Sequence, residues 1–435
     1  TTTQPILPTT FSSGGKVARS LDVSPLDSNV PHILLVTESI INTQFPCNIR
    51  LLDIGRSLCS QGYKVSISDT ESNISVSFKQ QHNLSNISII NHQDIPSILQ
   101  MRRKDSLEPE ITVVMEYLWF WSYLSVPEKL SSSIRSLSPK TKIVILTDDL
   151  HYIRQKLINN EMYDHLTQAI YSDAKDYEYA IQKRELSVYA NADHVIGVTE
   201  YDTGVLSSML VPLNVPVSLV RFRHNLTKET LSSFNSLPTY SNRKGICFLG
   251  NGNNPTNQIA LNFFFKQVYP LVFRQTTPTM SMMNITFHLV GTVPQDRYAS
   301  FMEQMTADEK KTIDIIPFLN QNDLVKLLQR CRVMIAPIRA TTGVNTKIIY
   351  GLMAGIPVVT TNIGARGIDI DEKPASLAIA PEDTAQSYAD TLIRTYSDAQ
   401  YWTNLLQNSL RAASIFENTR NFEKDLNHVL QQLSI

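Results

Sequence analysis

The sequence is poor in several features that mark large protein classes. Only four cysteines occur in 435 residues, at Cys47, Cys59, Cys247 and Cys331, and none forms a Cys-x-x-Cys pair. They outline neither a metal site nor a disulfide framework. Cys59 falls in a helical pattern, and Cys247 and Cys331 lie in or beside strand patterns, where a thiol buries as a small hydrophobe. Net charge is nearly absent: 39 Lys and Arg against 40 Asp and Glu leave −1. That is too little to draw the chain to nucleic acid or to an anionic membrane. No apolar run approaches a membrane span, and the aromatic stretch Glu116–Leu124 is far too short. No Gly-x-Gly-x-x-Gly follows the first strand pattern, which argues against a dinucleotide site even though Asp69 ends the second strand. Sequons at Asn73, Asn83, Asn86, Asn225 and Asn284 are what a chain rich in Asn, Ser and Thr holds by chance.

What remains is a globular composition, 42% hydrophobic and 18% charged, in a chain too long for one core. Residues 1–30 are rich in Thr, Ser and Pro without periodicity and read as a tether. Strand patterns then alternate with helical ones: His32–Thr37, Tyr63–Ser68, Ile111–Met115, Lys142–Thr147, His194–Thr199 and Val215–Val220, with helices at Ile49–Gln61 and Leu166–Tyr189. A polar stretch follows, and a second alternating run begins at Gly245–Leu249. It continues through Ile285–Val290, Thr312–Ile316, Val333–Ile338, Pro357–Thr361 and Leu377–Ile379. Near-continuous apolar strands between helices mean parallel sheets covered on both faces. The expected fold is α/β, with two Rossmann-like doubly wound domains facing a central cleft, at 31–222 and 245–400. The linker is placed at 223–244. The helical tail has its last helices at 401–435 and is expected to cross back to the first domain.

The most informative stretch is Arg332–Ile368. A short apolar strand ends at Arg339, Thr341-Thr342-Gly343 opens a helix, and apolar positions recur helically from Val344. Gly355 and Pro357 then stop that helix. A glycine-led helix start presents N–H groups and a positive partial charge, which suits a phosphate. Arg339 and Lys347 flank that point. Other polar groups stand at strand ends: Asp148, Asp149 and His151 after Lys142–Thr147, Gly250, Asn251 and Gly252 after Gly245–Leu249, and Glu200 after His194–Thr199. Ligands of such sheets bind beyond the carboxyl strand ends, so the interdomain cleft is the natural site. In the first domain, Pro46-Cys47-Asn48-Ile49-Arg50 follows the first strand at the cleft edge, where Asn48 could line the acceptor side and a plain helix start fits the run equally well. Trp119, Phe120, Trp121 and Tyr123 fit core packing better than sugar stacking.

Five runs carry a resemblance: TDDLHYIR (Thr147–Arg154), KRELSVYANADHVIGVTEYD (Lys183–Asp202), CFLGNGNNPTNQIALNFFFKQVYPLV (Cys247–Val272), HLVGTVP (His288–Pro294) and APIRATTGVNTKIIYGLMAGIPVVTTNIGARGI (Ala336–Ile368). In these the sequence resembles the retaining family-4 glycosyltransferases (glycosyl transferases group 1) of the GT-B fold, above all a subgroup found as modules of larger polypeptides. The resemblance implies transfer of a sugar from a nucleotide-diphosphate donor to a glycan or other acceptor, with no cofactor and no obligatory metal. It places Gly250, Asn251 and Gly252 at the donor phosphates, Arg339 and Lys347 at the diphosphate, and Gly343 and Val344 as its backbone donors. It places His151 at the donor sugar. The donor's own phosphate oxygen is the usual proton acceptor in such enzymes.

Two departures fall at the donor site. Tyr350 stands where the family has the ribose-binding Glu of a Glu-x7-Glu pattern, whose partner falls at Thr342, and Arg366 stands where the subgroup has Glu. These changes favour a fold-keeping binding or scaffold module as the main competing reading. A sugar-nucleotide epimerase or hydrolase is another, although no acidic or histidine set in the second domain supports it. The expected partners are a nucleotide sugar and a glycan or glycoconjugate, and not nucleic acid. The expected compartment is cytoplasmic, or a Golgi or secretory lumen if a signal or anchor was removed before Thr1.

Overall fold

The computed structural model describes residues 30–37, 46–69, 79–80, 83–104, 111–117, 125–162, 168–222, 237–273, 285–291, 302–303, 305–317, 319, 321–368, 376–416 and 419–434. Its first sheet has seven parallel strands in the order β3-β2-β1-β4-β5-β6-β7. These are β1 (His32–Val36), β2 (Lys64–Asp69), β3 (Ser88–Asn91), β4 (Ile111–Tyr117), β5 (Lys142–Thr147), β6 (His194–Gly197) and β7 (Val217–Leu219). The second sheet, also parallel, runs β10-β9-β8-β11-β12-β13. Its strands are β8 (Ile246–Leu249), β9 (Phe287–Val290), β10 (Ile313–Ile316), β11 (Val333–Ala336), β12 (Val358–Thr360) and β13 (Ala378–Ile379).

Helices of the first half are α1 (Pro46–Ser60), α2 (Ile95–Lys104), α3 (Val126–Leu137), α4 (His151–Met162), α5 (Gln168–Tyr189) and α6 (Glu200–Leu210). Those of the second half are α7 (Pro255–Phe263), α8 (Tyr269–Phe273), α9 (Ala307–Lys311), α10 (Gln321–Arg330) and α11 (Thr346–Met353). The tail forms α12 (Ala385–Ser397), α13 (Ala399–Phe416) and α14 (Thr419–Gln432).

Strand β1 shows why both sheet faces are covered. Its side chains alternate, so Ile33 and Leu35 enter one apolar cluster while Leu34 and Val36 enter another on the opposite face. β1 pairs with β2 on one side and with β4 on the other, Ile33 lying opposite Val65 and Thr112. β8 is flanked likewise by β9 and β11. The two chain reversals, beside β1 and β8, put open crevices at the carboxyl ends of both sheets. Strand β3 carries no strong alternation and was not expected from the sequence. The helix expected from Val344 begins two residues later, at Thr346.

The tail does cross back. α12 and α13 cover the second domain, where Trp402 is buried and its indole N–H donates to the Arg332 carbonyl at 2.7 Å. Phe422, Leu426, Val429, Leu430 and Leu433 then complete the first-domain core. Burying side chains of this kind contributes about 1.5–3 kcal/mol each. Arg221 fastens α14 to the end of β7 through Asp425, at 2.9 Å. In the linker region, residues 223–236 lie outside the described part. Tyr240 and Arg243 already belong to the second domain, Tyr240 donating to the Tyr396 carbonyl and Arg243 to the Gly355 carbonyl. The Trp119–Tyr123 aromatics also lie outside the described part. No helix among the described residues is long and apolar enough to cross a membrane.

Candidate active site

The first-domain wall is built on the β5–α4 junction. Helix α4 starts at His151, and its first N–H groups are met by the buried carboxylate of Glu185 from α5. Glu185 accepts from the N–H of His151 at 3.1 Å, from the N–H of Tyr152 at 2.9 Å and from the Tyr189 hydroxyl at 2.9 Å. An acceptor there satisfies donors that the helix leaves unpaired. Burial pushes the Glu185 carboxyl up, although the neighbouring His151 opposes this. The His151 ring is itself buried, edge-on to Tyr117 at 5.1 Å between centroids. Its Nδ1 lies 2.9 Å from Asp149 Oδ1 and 3.2 Å from Arg154 Nη2. Burial works against the charge of Asp149, yet Arg154 and His151 hold its pKa down at about 2. The three side chains form one charged group at the mouth of the sheet.

Beneath it lies Arg50 of α1, fully buried. Its guanidinium donates to the carbonyls of Thr147, Gly197 and Val220 and to Asp148 Oδ1 at 2.6 Å. It thereby ties the ends of β5, β6 and β7 together. Asn48 stands in the first turn of α1, and its side chain lies outside the described part.

The second-domain wall is the Gly250–Asn254 loop and the start of α11. Gly250 and Gly291 pack so closely that a Cβ on Gly291 would come 2.1 Å from the Gly250 carbonyl oxygen, and one on Gly250 would come 2.7 Å from Asn257 Nδ2. Asn251 Oδ1 accepts from the N–H of Asn253, and Asn254 caps α7 by accepting from the N–H of Thr256, both at 2.9 Å. The Gly252 carbonyl accepts from Gln258 at 2.8 Å. Lys347, in the first turn of α11, donates its ammonium to Asn257 Oδ1 and lies 4.8 Å from the centre of the Phe248 ring. Lys347 is half-buried, and burial brings the pKa of its ammonium down to about 7. Tyr350 is three residues further along α11 and half-buried, and burial raises its hydroxyl pKa.

The walls meet. His151, Arg154 and Ile158 of α4 face Asn251, Asn253 and Asn254 across a cavity of about 270 Å³. Beside it the domains are in direct contact. Thr342 Oγ1 accepts from the N–H of Leu150 at 3.0 Å and donates to its carbonyl at 3.2 Å. Gly343, at φ +68°, has no room for a side chain, because a Cβ would come 2.2 Å from the Asp148 carbonyl oxygen. Its N–H donates to Asp202 Oδ2 at 2.9 Å. Burial raises the Asp202 carboxyl to about 6 against the opposing hydrogen bond from Thr199.

The remaining expected residues are dispersed around this contact. Arg339 is turned toward the first domain: it pairs with both oxygens of Glu161, at 3.0 and 3.2 Å, and with Asp383, its guanidinium over Phe263. Arg366 stacks on Tyr201 of α6 at 4.2 Å. Val344 packs partly buried on the second core. Glu200 is exposed and pairs with Arg221. Thus His151 and Asn251 line the cavity, Asp149 is paired with His151, and Lys347 is joined to the Gly250–Asn254 loop through Asn257, whereas Arg339, Arg366 and Gly343 act between the domains and Glu200 lies outside. Sequence reading did not single out Arg50, Glu185, Asp202 or Asn257.

Residues 243–398 match the family described as glycosyl transferases group 1. No curated protein matches the chain by sequence. Several solved structures share its fold over nearly the whole length. Sucrose-phosphate synthase from Thermosynechococcus elongatus is similar at 12% identity and a TM-score of 0.57, over 93% of this chain and 99% of that one. HepE from Anabaena, in complex with UDP and glucose, is similar at 13% identity and a TM-score of 0.58, over 92% and 99%. A glycosyltransferase from Rickettsia africae is similar at 12% identity and a TM-score of 0.55, over 93% and 99%. The architecture is that of the GT-B glycosyltransferases. The family match lies in the second domain, so that domain is similar to the group 1 glycosyltransferases, and the whole chain shares their fold.

Proposed function

We propose that the chain moves a sugar from a nucleotide-diphosphate donor to a hydroxyl of a glycan or glycoconjugate, retaining configuration and requiring neither metal nor cofactor. The observation that carries this reading is Lys347, an ammonium joined to the Gly250–Asn254 loop through Asn257 and hydrogen-bonded to that amide where a structural lysine would have a carboxylate. Taking a charge out of water is costly unless a counter-charge arrives. A diphosphate supplies that counter-charge. As the sugar leaves, negative charge builds on the diphosphate, and a preorganised cation there stabilises the transition state more than the ground state. The donor phosphates lie against the Gly250–Asn254 loop and Lys347. The N–H of Gly343 reaches them once Asp202 gives it up. His151, held by Asp149, faces the sugar from the first domain, and a donor phosphate oxygen takes the acceptor proton. The UDP and glucose in HepE make uridine the first nucleotide to test.

A second reading, a binding module without turnover, draws on Thr342. It uses its hydroxyl to seal the domains at Leu150, where the family pattern has a carboxylate. Lys347→Met keeps the stem and removes the charge, which should weaken UDP binding by at least about tenfold, from a charge-assisted contact worth roughly 1.5–3 kcal/mol. Calorimetry checks this, and an unchanged affinity in a folded variant contradicts the placement.

A further inference from the structure

Asn257 is nearly fully buried on α7, yet both ends of its carboxamide are committed to the cleft wall. Its Oδ1 accepts from the Lys347 ammonium, and its Nδ2 donates to the Asn251 carbonyl at 2.8 Å. Gly250 leaves just enough room for it, since a Cβ there would overlap the carboxamide. One side chain therefore joins the cation of the site to the loop that faces it.

We propose that Asn257 is a positioning residue of the donor site, one that holds the Lys347 ammonium on the Gly250–Asn254 loop without neutralising it. This rests on the donor-site reading given above. An amide oxygen orients an ammonium by a hydrogen bond but carries no net charge, so the full cation is kept for the ligand. A carboxylate in the same place would form a buried ion pair and compete with a diphosphate for the same ammonium.

The surroundings make this choice matter. Of the elements that pack on α11 or around Lys347, α13 carries Tyr401 and Arg411, while the spans of β8, α7, β11 and β12 contain no Asp, Glu, Lys or Arg. The one titratable group in those four spans is the Cys247 thiol, which burial pushes up. The other titratable group on α11 is Tyr350, also raised by burial. On the adjoining loop, Arg339 is paired with Glu161 and Asp383. Across the cleft, Asp148 and Asp149 pair with Arg50, Arg154 and His151, and Asp202 is turned to the N–H of Gly343. Burial alone lowers the Lys347 pKa, to about 7. Only the protonated amine suits a diphosphate, so affinity should fall above neutral pH by up to about tenfold per pH unit.

The experiment compares wild type, Asn257→Asp and Asn257→Ser by calorimetry with UDP, GDP and ADP from pH 6 to 9, with thermal melts confirming the fold. Both variants lose the bond from Nδ2 to Asn251, but only Asp adds a charge. Wild-type affinity should decline above pH 7. Asn257→Ser should bind several-fold more weakly and keep that decline. Asn257→Asp should bind at least about tenfold more weakly than wild type at pH 6.5, with a flattened profile, because its carboxylate holds Lys347 protonated and occupied. Equal losses and equal pH slopes in the two variants would mean that Asn257 only supports the fold, and unchanged affinity in both would mean that it does not position Lys347. Either result overturns the role of Asn257 while leaving the donor site in place. A wild type that binds none of the three nucleotides overturns the donor-site reading, and the role of Asn257 with it.

Discussion

His151 shows how neighbours give a side chain its part. Its ring is held between Asp149, Arg154 and Tyr117, so it reaches the cavity from a fixed direction and cannot rotate freely. It also belongs to the first domain, whereas Lys347 belongs to the second. Replacing it should therefore touch the sugar and spare the nucleotide. His151→Ala is expected to lower turnover by about a hundredfold or more, as a lost positioning contact does, while UDP affinity changes less than about threefold. Parallel loss of both in steady-state kinetics and calorimetry would assign it to the nucleotide or the fold. In the sequence, His151 and Lys347 stand out because charged or titratable residues at strand and helix ends do so. Asn257 does not, since an uncharged carboxamide in a helix gives no sign of its partner 90 residues away. Arg339 read as a phosphate cation, and its pairing with Glu161 depends on how two domains meet, which no local pattern encodes.

Among the elements, α1 depends on one residue more than its amphipathic pattern suggests. Arg50 looked like a helix-start residue near the acceptor side, yet its guanidinium is the bolt through β5, β6 and β7. Arg50→Leu fills similar volume but leaves those carbonyls and Asp148 without their donor. Breaking a buried ionic group of this kind costs about 3–5 kcal/mol. Urea unfolding should show that loss as a lower midpoint with an unchanged slope, and a variant as stable as wild type would show that water replaces the guanidinium. The strands themselves were legible to within a few residues, because apolar runs bounded by turns report burial directly. The short edge strand β3 was not, because its Ser88-Ile89-Ile90-Asn91 pattern is half exposed and polar at both ends.

For the whole molecule, alternation of strands and helices was enough to expect two parallel sheets and a returning tail, since both follow from hydrophobic period and topology rules. The closed arrangement was not legible. It rests on Thr342 with Leu150, Gly343 with Asp202, and Arg339 with Glu161, each joining segments more than 140 residues apart. Those contacts bring the His151 wall to the Gly250–Asn254 loop and the Lys347 ammonium tied to it. The most direct measurement is release of nucleoside diphosphate from UDP-, GDP- and ADP-sugars, with and without added glycan acceptors, by wild type and Lys347→Met. Release is expected from at least one donor, stimulated by an acceptor and lost in Lys347→Met; sugar transfer requires both. Binding of a donor with no release under any acceptor, or release that Lys347→Met leaves intact, would contradict it.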